Sequence, residues 1–237
     1  MSNRPQQHER IFNGPDQSAA TVILAHGAGA GMDTDFMDAF AVGLAGQGLR
    51  VVRFEFPYMA ERRQTGKRRP PDREPVLRQT WLDVIASIEA NTLFIGGKSL
   101  GGRIASHVAA ARDADEAAAG AWWDRLGGLV FLGYPLHPPG KPQQIRVSHL
   151  VHVVHPMLAV QGAKDAFGTP AELRTFFDVL PARCEVYAVE HGDHSLAVPK
   201  RSGVSQAAVF EAAQARIVAW IRECLGSARR GAREPSP

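Results

Sequence analysis

Residues 93–111 read LFIGGKSLGGRIASHVAAA. The run opens as a short apolar strand and closes as an amphipathic helix from Leu100 onward. Between them, Gly97-Lys98-Ser99-Leu100-Gly101 matches G-x-S-x-G. In a chain with 23 glycines the bare pattern is weak. Its strand–turn–helix setting is what gives it meaning. Such a turn forces Ser99 into a strained conformation and lifts its hydroxyl above the edge of a sheet. A Cβ at Gly97 or Gly101 would collide with a neighbouring strand or helix. The amide of Leu100, at a helix N-terminus, then points to where negative charge would develop on a carbonyl attacked by Ser99.

Outward from this turn, strand and helix patterns alternate. Thr21–Ala25 (TVILA) is apolar throughout, as a strand buried on both faces reads. Further strands are expected at Leu49–Phe56, Thr92–Ile95, Leu129–Gly133, Pro156–Gln161 and Cys184–Val189. Helices are expected over Asp35–Gly46, around Val76–Ile88, over Glu172–Leu180 and over Gln206–Leu225. The Ala-rich stretch Ala109–Ala121 is helix-favouring. This alternation predicts an α/β fold: a mostly parallel central sheet with helices on both faces. Such sheets bind ligands beyond the carboxyl ends of their strands. The connection between Tyr134 and Pro156 holds Pro135, Pro138, Pro139, Gly140 and Pro142. It reads as a rigid loop with a short helix, too short for a large cap domain. Residues 1–18 are expected as an N-terminal tail or edge strand, 19–225 as a single domain, and 226–237 as a disordered basic tail.

The chain has 237 residues, 45% of them hydrophobic, enough for a sizeable core. No apolar run approaches the roughly 18–20 residues that span a bilayer. The start, MSNRPQQHER, lacks the apolar stretch of a secretory signal. Two cysteines, Cys184 and Cys224, have no metal-ligand spacing and read as small reduced core residues. The expectation is a cytoplasmic protein that does not engage membranes. Its net charge of +3 is small, and nucleic acid is not expected as a partner.

A serine becomes a useful nucleophile only when a base takes its proton. With Ser99 on such a turn, an acid and then a histidine should follow along the chain. Asp165 follows the strand PMLAVQG, and His194 lies in EHGDHSL directly after CEVYAVE. Both belong on the carboxyl edge of the sheet. His191 reads as structural or solvent-facing, and Asp193 is a poor orienter of the adjacent His194. His149, His152 and His155 are spaced like metal ligands, but no carboxylate or cysteine joins them, so no metal is expected. His26-Gly27-Ala28-Gly29-Ala30-Gly31 follows the first core strand. Its small residues let backbone approach a substrate. Ala28 is the preferred second donor to an oxyanion beside Leu100, with Gly29 as alternative. The segment lacks the Lys-Ser/Thr ending of a phosphate-binding loop.

Together HGAGAGMD, FEFPYM, GKRRPPD, GGKSLGGRIAS, GYPLHPPGKP, QGAKDAFG and GDHS resemble a group of small bacterial α/β hydrolases. This group is related to the animal testis-expressed-30 and KANSL-type proteins and is itself similar to dienelactone hydrolases. The resemblance spans roughly Thr21 to Ile221. It implies the α/β-hydrolase fold, with Ser99, Asp165 and His194 as the reacting residues; the chain's own motifs give no expectation of a cofactor. Dienelactone hydrolases commonly carry a cysteine nucleophile, so Ser99 counts against a dienelactone substrate. The expectation is a serine hydrolase acting on a carboxylic ester, or on a thioester or amide, through an acyl-enzyme. The alternative is a binding or scaffold protein built on a hydrolase fold.

Arg62, Arg63, Lys67, Arg68, Arg69 and Arg73 crowd one segment after the strand ending at Phe56. Guanidinium groups suit a carboxylate or phosphate. Arg68 and Arg69 are therefore candidate contacts to a small-molecule, anionic substrate, and His137 is taken as a further candidate. The competing reading is a solvated loop, or arginines paired with carboxylates at the core edge.

Overall fold

The computed structural model describes residues 8–111 and 122–231. Seven strands form one sheet among the described residues: β1 (Arg10–Asn13), β2 (Thr21–Ala25), β3 (Arg50–Phe54), β4 (Leu93–Lys98), β5 (Leu126–Leu132), β6 (Met157–Gly162) and β7 (Cys184–Val189). Their spatial order is β1-β3-β2-β4-β5-β6-β7. Only β1 runs antiparallel, pairing Arg10 to Phe54 and Asn13 to Val51 as an edge strand. Among the described residues the α-helices are α1 (Asp35–Gly46), α2 (Pro57–Thr65), α3 (Glu74–Ala86), α4 (Leu100–Ala109), α5 (Pro170–Phe177) and α6 (Gln206–Gly231).

Side chains of a strand alternate between faces, and here both faces are apolar. Ile23, Val52, Phe54, Ile95, Phe131 and Ala159 enter one core with Trp81 and Ile85 of α3 and Ile104 of α4. Val22, Leu24, Val51, Phe94, Val130 and Leu158 enter the other with Phe40 and Leu44 of α1 and Ile217 and Trp220 of α6. Helices thus cover both sides, as the unbroken apolar strands require. The β5–β6 connection is irregular chain with turns at Pro138–Lys141 and Lys141–Gln144 and one short 3-10 helix, Ser148–His152, and no separate cap domain is present among the described residues.

Two local expectations change. The segment Arg62–Arg73 is not one loop: Arg62 and Arg63 lie on α2. Pro57 at its first turn supplies a fixed φ, and Gly66 at φ 69° ends it in the left-handed region. The tail expected to begin at 226 is helical as far as Gly231, because α6 continues past Leu225. Ala228, Arg229 and Arg230 favour helix even where its apolar pattern has ended. Residues 112–121 of the Ala-rich stretch, and 232–237, lie outside the described residues.

His107 of α4 and His149 of the Ser148–His152 turn form a half-buried histidine pair. His107 and His149 stack with ring centroids 3.6 Å apart, and His149 Nε2 meets Ser106 Oγ at 2.8 Å. Burial pushes His149 down to about 3, with His107 and Arg103 adding repulsion. Burial also lowers His107, against the pull of Glu74. These imidazoles stay neutral when folded, yet take up protons below about pH 6.5 when the chain unfolds. The unfolded chain then binds more protons, so stability falls as pH drops from 6.5. We expect the urea midpoint to decrease between pH 7 and pH 5, and His149→Gln to flatten that decrease. An equally steep decrease in the variant would contradict this account.

Candidate active site

The chain passes from β2 to β3 on one side and returns to β4 on the other, so the sheet order reverses between β2 and β4. The loops after these two strands diverge and leave a crevice at their carboxyl ends. Ser99 stands at that point, between β4 and α4, with φ 48° and ψ −111°. Such a conformation costs a non-glycine residue about 1–3 kcal/mol. It holds because its neighbours leave no alternative. The Ser99 amide donates to the Leu132 carbonyl at 3.1 Å, and the Ser99 carbonyl accepts from Arg103 N at 3.0 Å. Gly97, at φ 143°, and Gly101 both pass so close to the Ala25 backbone that a Cβ on either would overlap it.

Ser99 Oγ lies 2.8 Å from His194 Nε2, and His194 Nδ1 lies 2.8 Å from Asp165 Oδ2. A carboxylate accepts, so Nδ1 carries the proton and the Nε2 lone pair faces the serine. The Asp165 side chain is fully buried. Its Oδ1 accepts from Phe167 N at 2.8 Å and its Oδ2 from Gln161 Nε2 at 2.8 Å. The ring of Phe167 stacks on His194 at 4.2 Å. Asp193 Oδ1 accepts from Ser195 N at 2.7 Å and Ala197 N at 2.9 Å, folding the His194 loop back on itself. Asp193 therefore shapes the loop rather than orienting the ring. His191, at φ 59°, is exposed next to Glu190.

Lys98 reaches from the elbow to the His194 carbonyl, to which its ammonium donates. Burial pulls its pKa down to about 8, against the opposing attraction of Asp165 and Asp193. The ammonium also lies 5.5 Å from the Phe36 ring centroid. A cleft of about 370 Å³ opens over Ser99 and His194. Its walls include Ala28, Gly29, Phe36, Met37, Lys98 and Phe167. The space is largely apolar, with one cation at its edge.

The sequence-derived contacts fare unequally. Ser99, Asp165, His194 and the Ala28 loop meet in one place, and Leu100 begins the helix that leaves it. Arg68, Arg69 and His137 are not among the described residues lining this cleft. Arg69 is held by Glu61 at 3.1 Å and Asp72 at 2.6 Å. Arg68 is exposed in the extended segment before α3. His137 is buried, its Nδ1 on the Pro138 carbonyl at 3.0 Å and its Nε2 3.6 Å from Glu172. The carboxylates flanking the basic segment thus take up Arg69, and packing removes His137. Gln161, Lys98 and Phe167 escaped the sequence reading. Gln161 had a visible signal, a polar residue ending the apolar run MLAVQG.

Residues 18–222 match the family model described as an alpha/beta hydrolase domain. The chain belongs to this alpha/beta hydrolase family. Among solved structures, a dienelactone hydrolase from Anabaena variabilis superimposes with a TM-score of 0.68 at 17% identity, over 91% of each chain. Est1E from Butyrivibrio proteoclasticus gives 0.61 at 16% identity, over 90% of this chain and 94% of that one. A serine hydrolase without lid from Xanthomonas campestris gives 0.57 at 19% identity, over 80% and 81%. At these identities the likeness is one of fold. The hydrolase fold of this chain is thereby settled, and its site has to be argued from its own residues.

Gln161 is the residue on which that site's interior depends. Beyond Asp165 it donates to the Gly168 carbonyl at 2.7 Å and accepts from Tyr134 N at 2.8 Å. Replacing it by leucine strands buried polar groups at about 1–3 kcal/mol each. We expect Gln161→Leu to lower stability by about 2–4 kcal/mol, read as a fall in the urea midpoint. A parental midpoint would show that these bonds are dispensable.

Proposed function

We propose that this hydrolase cleaves a carboxylic ester through an acyl-enzyme on Ser99, with His194 as general base and Asp165 as its orienting carboxylate. The observation carrying the reading is the unbroken hydrogen-bonded chain from Ser99 Oγ through both nitrogens of His194 to the buried Asp165, with a cleft open above it. A scaffold protein does not require a strained serine facing an unprotonated imidazole nitrogen. The same residues would serve a thioester, whose thiolate leaves without protonation, or an amide, whose amine must be protonated to leave.

In this reading Ser99 Oγ attacks the acyl carbon while its proton passes to His194 Nε2. Asp165 stabilises the imidazolium without taking its proton. The amide of Leu100, unpaired within α4 because it lies in the first turn, donates to the developing oxyanion, and the amide of Ala28 donates from across the cleft. When the ester C–O bond breaks, His194 returns the proton to the leaving alkoxide. Water then attacks the acyl carbon as His194 takes its proton, and His194 gives that proton to Ser99 Oγ as the acyl C–O bond breaks, releasing the carboxylic acid. The largely apolar walls at Phe36, Met37 and Phe167 suit an uncharged acyl or alkyl group. We assign the protein to the cytoplasm on its two free cysteines, Cys184 and Cys224. We also retain the kinship with testis-expressed-30 and KANSL-type proteins on the motifs quoted above.

The test is a panel of p-nitrophenyl esters of increasing acyl length, with thioester and anilide analogues. We expect ester turnover, and for Ser99→Ala a loss of about 10⁴-fold or more in kcat/KM with the fold retained. Equal turnover by Ser99→Ala would remove Ser99 from the chemistry. A wholly inert parent would favour the scaffold alternative.

A further inference from the structure

The glycine-rich loop after β2 contains few side chains that could fix its shape, yet its backbone is held at successive carbonyls from one side. Tyr58, on the first turn of α2, donates its hydroxyl to the Gly27 and Ala28 carbonyls, each at 3.2 Å. Arg62, one turn further, donates Nη1 to the Gly29 carbonyl at 2.9 Å. His26 adds a bond from Nδ1 to the Gly27 carbonyl at 2.7 Å, while its Nε2 accepts from Phe56 N at 3.1 Å. Arg63, the next residue of α2, binds Glu55 at 2.6 Å and Asp33 at 2.8 Å, which ties the far end of the loop to the same helix. Tyr58 itself is buried, and its ring packs edge-on to His26 at 5.7 Å.

A trans peptide sets its N–H opposite its C=O. With the carbonyls of Gly27, Ala28 and Gly29 all drawn toward α2, the amides of Ala28, Gly29 and Ala30 must face away from it. Residues 27–31 line the cleft over Ser99 on that other side. Successive amides turned to one side form a concave anion-binding backbone. Resting on the reading of Ser99 as nucleophile, we infer that Tyr58 and Arg62 are positioning residues, which aim the Ala28 and Gly29 amides at the oxyanion by holding their carbonyls from behind. This gives part of the basic segment a function: Arg62 serves the loop backbone and not the substrate. It also removes the need to choose Ala28 over Gly29, because one tyrosine hydroxyl turns both amides together.

Preorganised donors act on the transition state more than on the bound substrate. The test therefore separates the two on the whole protein, using p-nitrophenyl acetate turnover and inhibition by phenylboronic acid, whose serine adduct is tetrahedral and anionic. Tyr58→Phe keeps the ring and removes the shared bond. We expect kcat to fall about tenfold, KM to stay within about twofold, and the phenylboronic acid inhibition constant to rise by about the same tenfold. Arg62→Gln should act in the same direction by about threefold, and it covers the case in which Tyr58→Phe lowers folding yield. An active parent whose variants keep parental kcat and boronate affinity overturns the clamp alone. So does a fall in kcat with boronate affinity unchanged. A parent inert toward both reagents overturns the clamp together with the reading of Ser99.

Discussion

The turn that carries Ser99 is pressed against the backbone of Ala25. Gly97 and Gly101 face it from either side of the serine, and neither position has room for a β-carbon. This single close approach, between the end of β2 and the β4–α4 elbow, sets the geometry of the whole site. It forces Ser99 to φ 48° and aims α4 away from the sheet edge. It also brings the Gly27–Gly31 loop alongside the serine. The strain at Ser99 is tolerable because the sheet around it is rigid: both faces are packed by helices, and the strands meeting there are buried along their length.

From that contact the remaining groups are assembled by chain ends that share one sheet edge. β6 delivers Asp165, β7 delivers His194, and Lys98 crosses between the elbow and the His194 loop. Burial of Asp165 is affordable only because every direction around it is filled by a donor: Gln161, Phe167 N and the imidazole itself. The carboxylate is thus fixed and bonds directly to the His194 ring. The loop opposite is held by a different means, carbonyl by carbonyl from α2. The two halves of the site therefore differ in physical character. One is a buried ionic network, and the other is a backbone turn gripped by a phenol and a guanidinium.

Much of this was legible in the sequence because it rests on local sterics and periodicity. The elbow is a short-range pattern, and TVILA and CEVYAV coincide with strands as expected. Asp165 and His194 could be placed because parallel strands deliver their following residues to a common edge. The less legible parts depend on which partner a polar group finds in three dimensions. α2 buries only Tyr58 and Met59, so its sequence carries almost no apolar period, and its neighbourhood reads as a basic loop. Net charge could not show that Arg63 belongs to Glu55, or Arg69 to Glu61 and Asp72. His137, a candidate substrate contact by sequence, is folded inward by a proline-rich loop, a tertiary outcome with no local signal.

The central claim is that Ser99 is a nucleophile activated by His194, and covalent capture tests it most directly. The protein would be treated with an alkyl fluorophosphonate, its intact mass measured, and the adduct mapped to a peptide. The account predicts one adduct per chain, on Ser99, formed far more slowly when His194 is replaced by alanine. No adduct, an adduct on another residue, or labelling that does not slow in the His194→Ala variant would contradict it.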